Sequence, residues 1–325
     1  MLADQALLVL SAAGTFVACY ILSRIVTGVL SPLHPRLAEL HSDFHIMDTS
    51  IVVTFCVGLL CTLTVMYFMG LLSVSPASKN AISREEWRSF PLIKRTPVSK
   101  STSVLEFAIP GQLGLPVGQH VSVRAPVNGR MVMRSYTPIS DVDAHGTVQL
   151  LVKSYPTGNL SRVLGELQVG ASVEMKGPKG KFLYRPNMTE RIGMLAGGTG
   201  ITPCFQVLKA ALKDENDQTR FDLLYANVSE DEILLKNELD TLMREHPLRF
   251  RVQYFLNVPP EGWDGGVGFI TRDAIADFLP LATQDCRILM CGPPPMIEAM
   301  KRHLVLLHFP EPSALSQADD KVFVF

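Results

Sequence analysis

Four short segments hold residue types suited to gripping an anionic ligand that carries a flat ring. Residues 134–140 read RSYTPIS. Arginine offers a bidentate fork to phosphate, tyrosine covers a ring face, and threonine adds a hydroxyl and a backbone N–H. Strand alternation puts Arg134 and Tyr136 on one face and Thr137 on the other. Residues 196–203 read AGGTGITP after an apolar run. Glycines there let backbone approach a ligand, free N–H groups at a helix start favour an anion, and Pro203 suits a first helical turn. Residues 291–297, CGPPPMI, set a cysteine and a glycine before three prolines. That is a rigid ledge, fit for reactions that tolerate little positional error, such as hydride transfer. Residues 158–164, GNLSRVL, read as a loop entering a helix, where N–H groups and Ser161 suit a second phosphate.

Each segment taken alone also has an ordinary explanation. A barrel strand with a polar edge accounts for 134–140, and a tight strand-to-helix turn for 196–203. Cys291 would serve as buried packing, and Gly-Asn turns precede many helices.

The elements that must position these segments fall into two patterns. From Trp87 to about Tyr184, short strands (103–109, 119–124, 148–155, 172–176) alternate with Gly/Pro turns, interrupted by one helical stretch at 159–167. This predicts an antiparallel β-barrel or sandwich. From Arg191 onward, apolar runs at 192–196, 221–226, 250–256 and 287–291 each lead to a helical pattern, at 204–213, 231–244, 271–278 and 295–306. That alternation predicts a doubly wound parallel sheet of the α/β class, which binds ligands outside the carboxyl ends of its strands.

Ahead of both lies a segment of different composition. Residues 51–72 run for about 22 positions without a charge, long enough for a transmembrane helix. A weaker apolar run, 6–22, reads as a second span, an interfacial helix or a signal-like segment, a cleaved secretory signal fitting poorly. Lys79, Arg84, Arg88, Lys94 and Arg95 follow the strong run, so the positive-inside bias puts the remainder in the cytosol. The expected organisation is a membrane anchor over 1–78, a linker over 79–86, one domain over 87–190 and another over 191–325. The formal net charge of −1 gives no sign of nucleic-acid binding. Six cysteines without a CxxC pair or zinc-like spacing argue against a disulfide framework or a metal site.

In this order the segments resemble the ferredoxin–NADP reductase superfamily and, within it, the NADH–cytochrome b5 reductases. The resemblance covers 87–325. It rests on RSYTP, LLVKSY, GNLSRVL, GPKGKFLY, AGGTGITP, EGWDGGVGFIT, CGPPPMI and the terminal VFVF. LGLPVGQH at 113–120, with the anchor, is most like microsomal or mitochondrial outer-membrane members of fungi and protists. It implies an FAD-binding barrel and an NADH-binding α/β domain. Arg134, with Ser135 beside it, would hold the FAD pyrophosphate. Tyr136 would lie against the flavin, with Thr137 near its reactive nitrogen. Leu151, Val152, Lys153 and Tyr155 would flank the flavin, Lys153 meeting the nucleotide. Gly158, Asn159, Leu160 and Ser161 would bind FAD phosphate. Gly198, Thr199, Gly200 and Thr202 would line the cleft between the cofactors, and Cys291, Gly292, Pro293 and Met296 would border the nicotinamide. Thr137 and Cys291 carry over as the catalytic pair.

The implied reaction is hydride transfer from NADH to FAD, then single-electron transfer to cytochrome b5 haem in support of lipid desaturation or sterol chemistry. The implied enzyme is a monomer at the endoplasmic reticulum or the mitochondrial outer membrane. Many animal members carry Asp where this chain has Asn257. An acid there would repel a 2′-phosphate; Asn257 removes that charge, so NADH is still expected from the resemblance while its margin over NADPH is left open. Lys176, Lys179 and Lys181 are candidates for meeting an acidic partner, and a solvated turn explains them as well. Two rival readings keep the fold. One sends the electrons to another acceptor, such as an iron protein of diphthamide synthesis, and the other makes the chain a catalytically silent membrane tether.

Overall fold

Two six-stranded sheets organise the described residues, 80–155 and 157–325, of the computed structural model. Both belong to one compact unit. The expected anchor, with the runs 6–22 and 51–72, lies outside the described residues. Among those described, no helix is long and apolar enough to cross a membrane.

The first sheet contains β1 (Arg88–Pro97), β2 (Thr102–Gln112), β3 (His120–Val127), β4 (Arg130–Tyr136), β5 (His145–Lys153) and β6 (Ser172–Lys179), in the order β4-β3-β6-β1-β2-β5. Every pairing is antiparallel. The expected barrel is therefore a curled sheet in which β4 and β5 are edges that do not pair with each other. Alternation turns Leu105, Phe107, Leu150 and Val152 into one core, with Val121, Val123 and Met175 opposite. One helix, α1 (Leu160–Glu166), lies between β5 and β6 and buries Leu160 and Leu164 in that core.

The second sheet contains β7 (Arg191–Gly197), β8 (Arg220–Asn227), β9 (Phe250–Leu256), β10 (Gly266–Val267), β11 (Cys286–Cys291) and β12 (Val322–Val324). All its pairings are parallel, in the order β10-β9-β8-β7-β11-β12. Helices α2 (Ile201–Lys213) and α3 (Lys236–Glu245) pack on one face with Met194, Leu223 and Tyr225. Helices α4 (Arg272–Phe278) and α5 (Pro294–Leu306) cover the other, over Leu195, Leu224 and Met290. Both faces are covered, as parallel strands apolar on both sides require.

The structure changes the expected helix at 231–244. Glu230–Glu232 form a single 3₁₀ turn, Leu235 takes a left-handed φ of 59°, and α3 begins only at Lys236. Three acidic residues in succession give the 3₁₀ turn no apolar face to bury, and the buried Ile233–Leu235 follow it in non-helical backbone.

The two sheets are fastened through their connector. Asp217, wholly buried, accepts a hydrogen bond from the Tyr184 hydroxyl at 2.5 Å and from the N–H groups of Asn187 and Thr219 at 3.2 and 3.0 Å. Asp285 accepts from the Thr189 hydroxyl and from the Glu190 N–H. On α2, Gln206 is 4% exposed. Its Oε1 accepts from the Gly118 N–H at 2.7 Å, and its Nε2 donates to the Gln119 carbonyl at 3.3 Å.

Candidate active site

A cleft of 810 Å³ opens between the end of the curled sheet and the carboxyl ends of β7 and β11. Three stretches of the first sheet line it: Arg134–Thr137 from β4, Leu151, Lys153 and Tyr155 around β5, and Thr157–Ser161 leading into α1. Gly197–Gly200, Thr202 and Pro203 line it from the turn after β7, and Cys291–Pro293 from the end of β11. Segments more than a hundred residues apart thus face one space.

β4 can offer its side chains because it is an edge strand. It pairs with β3 alone, through Tyr136↔Val121 and Arg134↔Val123. Arg134 is exposed, and its guanidinium donates only to the carbonyl of the preceding Met133. Among the described residues it makes no ion pair, which suits an anion yet to arrive. Tyr136 is half-buried, and its hydroxyl is pushed up to about 12 by burial, against the pull of Arg134. It stays neutral and can act as a flat wall.

On the other side the glycines have different duties. Gly200 has an ordinary backbone (φ −64°), but a Cβ on it would sit 2.1 Å from the Cys291 carbonyl oxygen. The turn after β7 and the end of β11 therefore touch backbone to backbone. Gly198 has φ +54° and open space where a side chain would begin, so it faces the cleft in a conformation that favours glycine. Burial pushes the Cys291 thiol up to about 11. At neutral pH it is an uncharged wall of the cleft rather than a nucleophile.

Some anticipated residues stand elsewhere. Val152 turns away from Leu151 and Lys153 into the barrel core, 2% exposed. Met296 lies behind the cleft, its sulfur 2.5 Å and 3.0 Å from where a Cβ on Gly197 or Gly292 would be. It holds the ledge from beneath. Asn257 is exposed at the end of β9, its N–H donating to the Asn227 carbonyl, and does not line the cleft.

Five lining residues went unnoticed in the sequence as site residues: His120, Thr157, Gly197, Pro203 and Phe325. Four fall within or beside strings that attracted attention for other reasons, and Phe325 ends the aromatic VFVF run. The Phe325 ring stands edge-on to Phe182 and Phe323 at 5.5 and 5.1 Å. Its N–H donates to the Met290 carbonyl. His120 opens β3, and its pKa is lowered by burial and then by the positive charge of Lys179. It is neutral at pH 7 and able to accept a proton. Because folded His120 holds its proton less tightly than the ordinary value of 6.5, the unfolded chain binds more protons as the pH falls. Its contribution to stability is present above pH ~6.5 and is lost as the pH drops through the folded value. A His120→Gln variant should lose less stability between pH 7 and 5 than the wild type, read from urea midpoints. An equal acid loss in both would refute this account of His120.

The cleft receives phosphate-binding types from one sheet and close-packed glycines from the other, the arrangement of an oxidoreductase that brings a flavin and a nicotinamide together. Residues 89–184 match the family described as "Oxidoreductase FAD-binding domain", and residues 194–302 match "Oxidoreductase NAD-binding domain". The chain is 42% identical over 328 residues to NADH-cytochrome b5 reductase 1 of Mycosarcoma maydis, covering 100% of both. It is 50% identical over 242 residues to the Meyerozyma guilliermondii protein of that name, covering 74% of this chain and 85% of the other. Among solved structures, the cytochrome b5 reductase domain of Ulva prolifera nitrate reductase superposes with a TM-score of 0.70 at 33% identity, covering 76% of this chain and 100% of that one. The chain belongs to the NADH-cytochrome b5 reductase family of flavin oxidoreductases.

Proposed function

We propose that this chain oxidises NADH and reduces cytochrome b5. The observation that carries this reading is the single cleft, in which Arg134–Thr137 of one sheet face Gly197–Thr202 and Cys291 of the other. FAD, when bound, supplies the two-electron to one-electron conversion that no side chain provides. Arg134 grips the pyrophosphate, Tyr136 covers the ring and Thr137 offers a hydroxyl at the ring edge. Gly158–Ser161 take further phosphate oxygens. Gly198 and Thr199 let the nicotinamide nucleotide approach, and Cys291, with Gly292 and Pro293, fixes where its ring stops. The neutral imidazole of His120 offers a hydrogen-bonding group at the cleft wall. Lys179, paired with His120 across β3 and β6, and the exposed Lys181 offer positive charge beside this wall to an acidic partner.

We also read residues 51–72 as the membrane anchor, with the catalytic part on the cytosolic face of the endoplasmic reticulum or the mitochondrial outer membrane, acting as a monomer. Charge-free length and the basic residues after it support this reading.

Two measurements test the catalytic reading together. The purified full-length chain should be yellow, bleach on addition of NADH, and reduce purified cytochrome b5 in step with that bleaching. A colourless preparation, or one bleached by NADH that leaves cytochrome b5 oxidised, would exclude it.

Lys153 and Glu232 add a further expectation. Their ion pair, 3.1 Å long, joins β5 to the turn after β8 beside the cleft, with side chains 14% and 29% exposed. An incoming anionic nucleotide competes with Glu232 for Lys153. The Glu232→Gln variant should therefore show a KM for NADH lower by roughly two- to five-fold at unchanged kcat. A KM that stays level or rises would mean that Glu232 helps the nucleotide rather than opposing it.

A further inference from the structure

Where β7 turns into the cleft, the carbonyl of Gly198 accepts a hydrogen bond from the Tyr225 hydroxyl at 3.0 Å. Tyr225 stands on β8, opposite Ala196, and is wholly buried in the apolar layer shared with α2. A buried phenol needs a partner for its one polar atom, and here that partner is the main chain of the cleft turn. Gly198 is held by main-chain and phenol donors alone, its carbonyl accepting from the Ile201 N–H of the 3₁₀ turn as well as from Tyr225. It has φ +54°, no side chain, and empty space on the side where one would begin. The direction of its carbonyl is thus set by two donors, the Ile201 N–H and the Tyr225 hydroxyl, with no side chain of its own to fix it.

That direction matters for an anion. A carbonyl turned into the cleft would present the negative end of its dipole to the phosphates of a dinucleotide, in the place where N–H groups are wanted. We propose that Tyr225 is a positioning residue for the nicotinamide nucleotide, its hydroxyl holding the Gly198 carbonyl inward and so keeping an acceptor out of the nucleotide's path. The inference rests on reading the cleft as the nicotinamide nucleotide site. Burial raises the Tyr225 pKa, so the hydroxyl remains a donor at any working pH.

The Tyr225→Phe variant keeps the ring and removes the hydroxyl, both as donor to Gly198 and as acceptor toward Asn227 and the Leu234 N–H. The measurements are NAD⁺ affinity of the flavin-loaded full-length chain by calorimetry, KM and kcat for NADH, and flavin content by absorbance. The NAD⁺ Kd and the KM should both rise about 3- to 10-fold, with kcat and flavin content within about twofold of wild type. The matching control is Tyr254→Phe. Its ring lies 6.2 Å from that of Tyr225, and its hydroxyl donates to Asp240 at 2.6 Å, away from the turn. It should cost stability yet leave the Kd within about twofold. A Tyr225→Phe Kd equal to wild type, or a Tyr254→Phe Kd raised as much, overturns the assignment. So does a kcat that falls together with flavin content. A wild-type chain that binds no NAD⁺ overturns the underlying reading of the cleft instead.

Discussion

Replacing Gly200 by alanine is expected to lower NADH-dependent flavin reduction by about a hundredfold. The new methyl group would stand 2.1 Å from the Cys291 carbonyl oxygen and 2.4 Å from its carbon. Neither is the end of a flexible side chain, so the turn after β7 and the end of β11 must part. These two pieces of backbone form one wall of the cleft, and a displacement of this size is enough to spoil hydride alignment. Overpacking should also cost roughly 1–3 kcal/mol of stability. Conformation is not the cause, since φ −64° at Gly200 suits any residue. Gly198 provides the contrast. Alanine there meets nothing within 4 Å but must adopt φ +54°, which costs on the order of 1 kcal/mol without moving the wall. Stopped-flow bleaching of both variants should rank Gly200→Ala far below Gly198→Ala. The reverse order would show that the close approach to Cys291 is not what requires glycine at 200.

Asp217→Ala is expected to produce the largest loss of stability. The side chain is wholly buried and accepts from Tyr184, Asn187 and Thr219, with Arg249 3.9 Å away. Removing the carboxylate leaves the Tyr184 phenol and the Thr219 N–H buried without that partner, frees the Asn187 N–H, and leaves Arg249 without its nearest acid. Breaking such a cluster costs about 3–5 kcal/mol. At this chain size each kcal/mol shifts the melting temperature by roughly 2–4 °C, so Tm should fall by about 10 °C. Tyr184 and Asn187 belong to the connector between the two sheets, so flavin release should accompany the melt rather than precede it. A fall in Tm of less than about 3 °C would mean that the connector is held by other contacts. Asp217→Asn, which preserves shape but puts a donor on one side, should lie between the two.

The parts of the site that were legible in the sequence are those in which backbone geometry dictates residue type. A turn that touches another strand main chain to main chain needs glycine, so AGGTGITP and CGPPPMI declared themselves even though their partners lie about ninety residues away. Val152 was grouped with Leu151 and Lys153 because the string was treated as a block, whereas strand alternation turns it into the core. β1 went unread because Pro91 and three basic residues break its apolar rhythm. The structure explains it: β1 pairs with β6 and β2, turning Phe90 and Leu92 inward. The break at Leu235 was invisible because a left-handed leucine leaves no mark on helical periodicity. His120 and Phe325 were missed because a single histidine or terminal aromatic has no spacing to read. What places them is tertiary: His120 reaches the cleft only because β3 lies next to β4 and β6.

The seam between the two sheets has a consequence for how such a protein changes over generations. Gln206 reads the Gly118 N–H and the Gln119 carbonyl, and Lys209 reaches the Ile139 carbonyl. These contacts recognise main chain, which every amino acid supplies alike. Substitutions along those loops of the curled half leave the joint intact as long as the path of the backbone is kept. Side-chain pairs across the same seam, Lys209 with Asp141 and Lys153 with Glu232, do depend on residue type, so the two halves are coupled at those positions and free to drift along the loops between them.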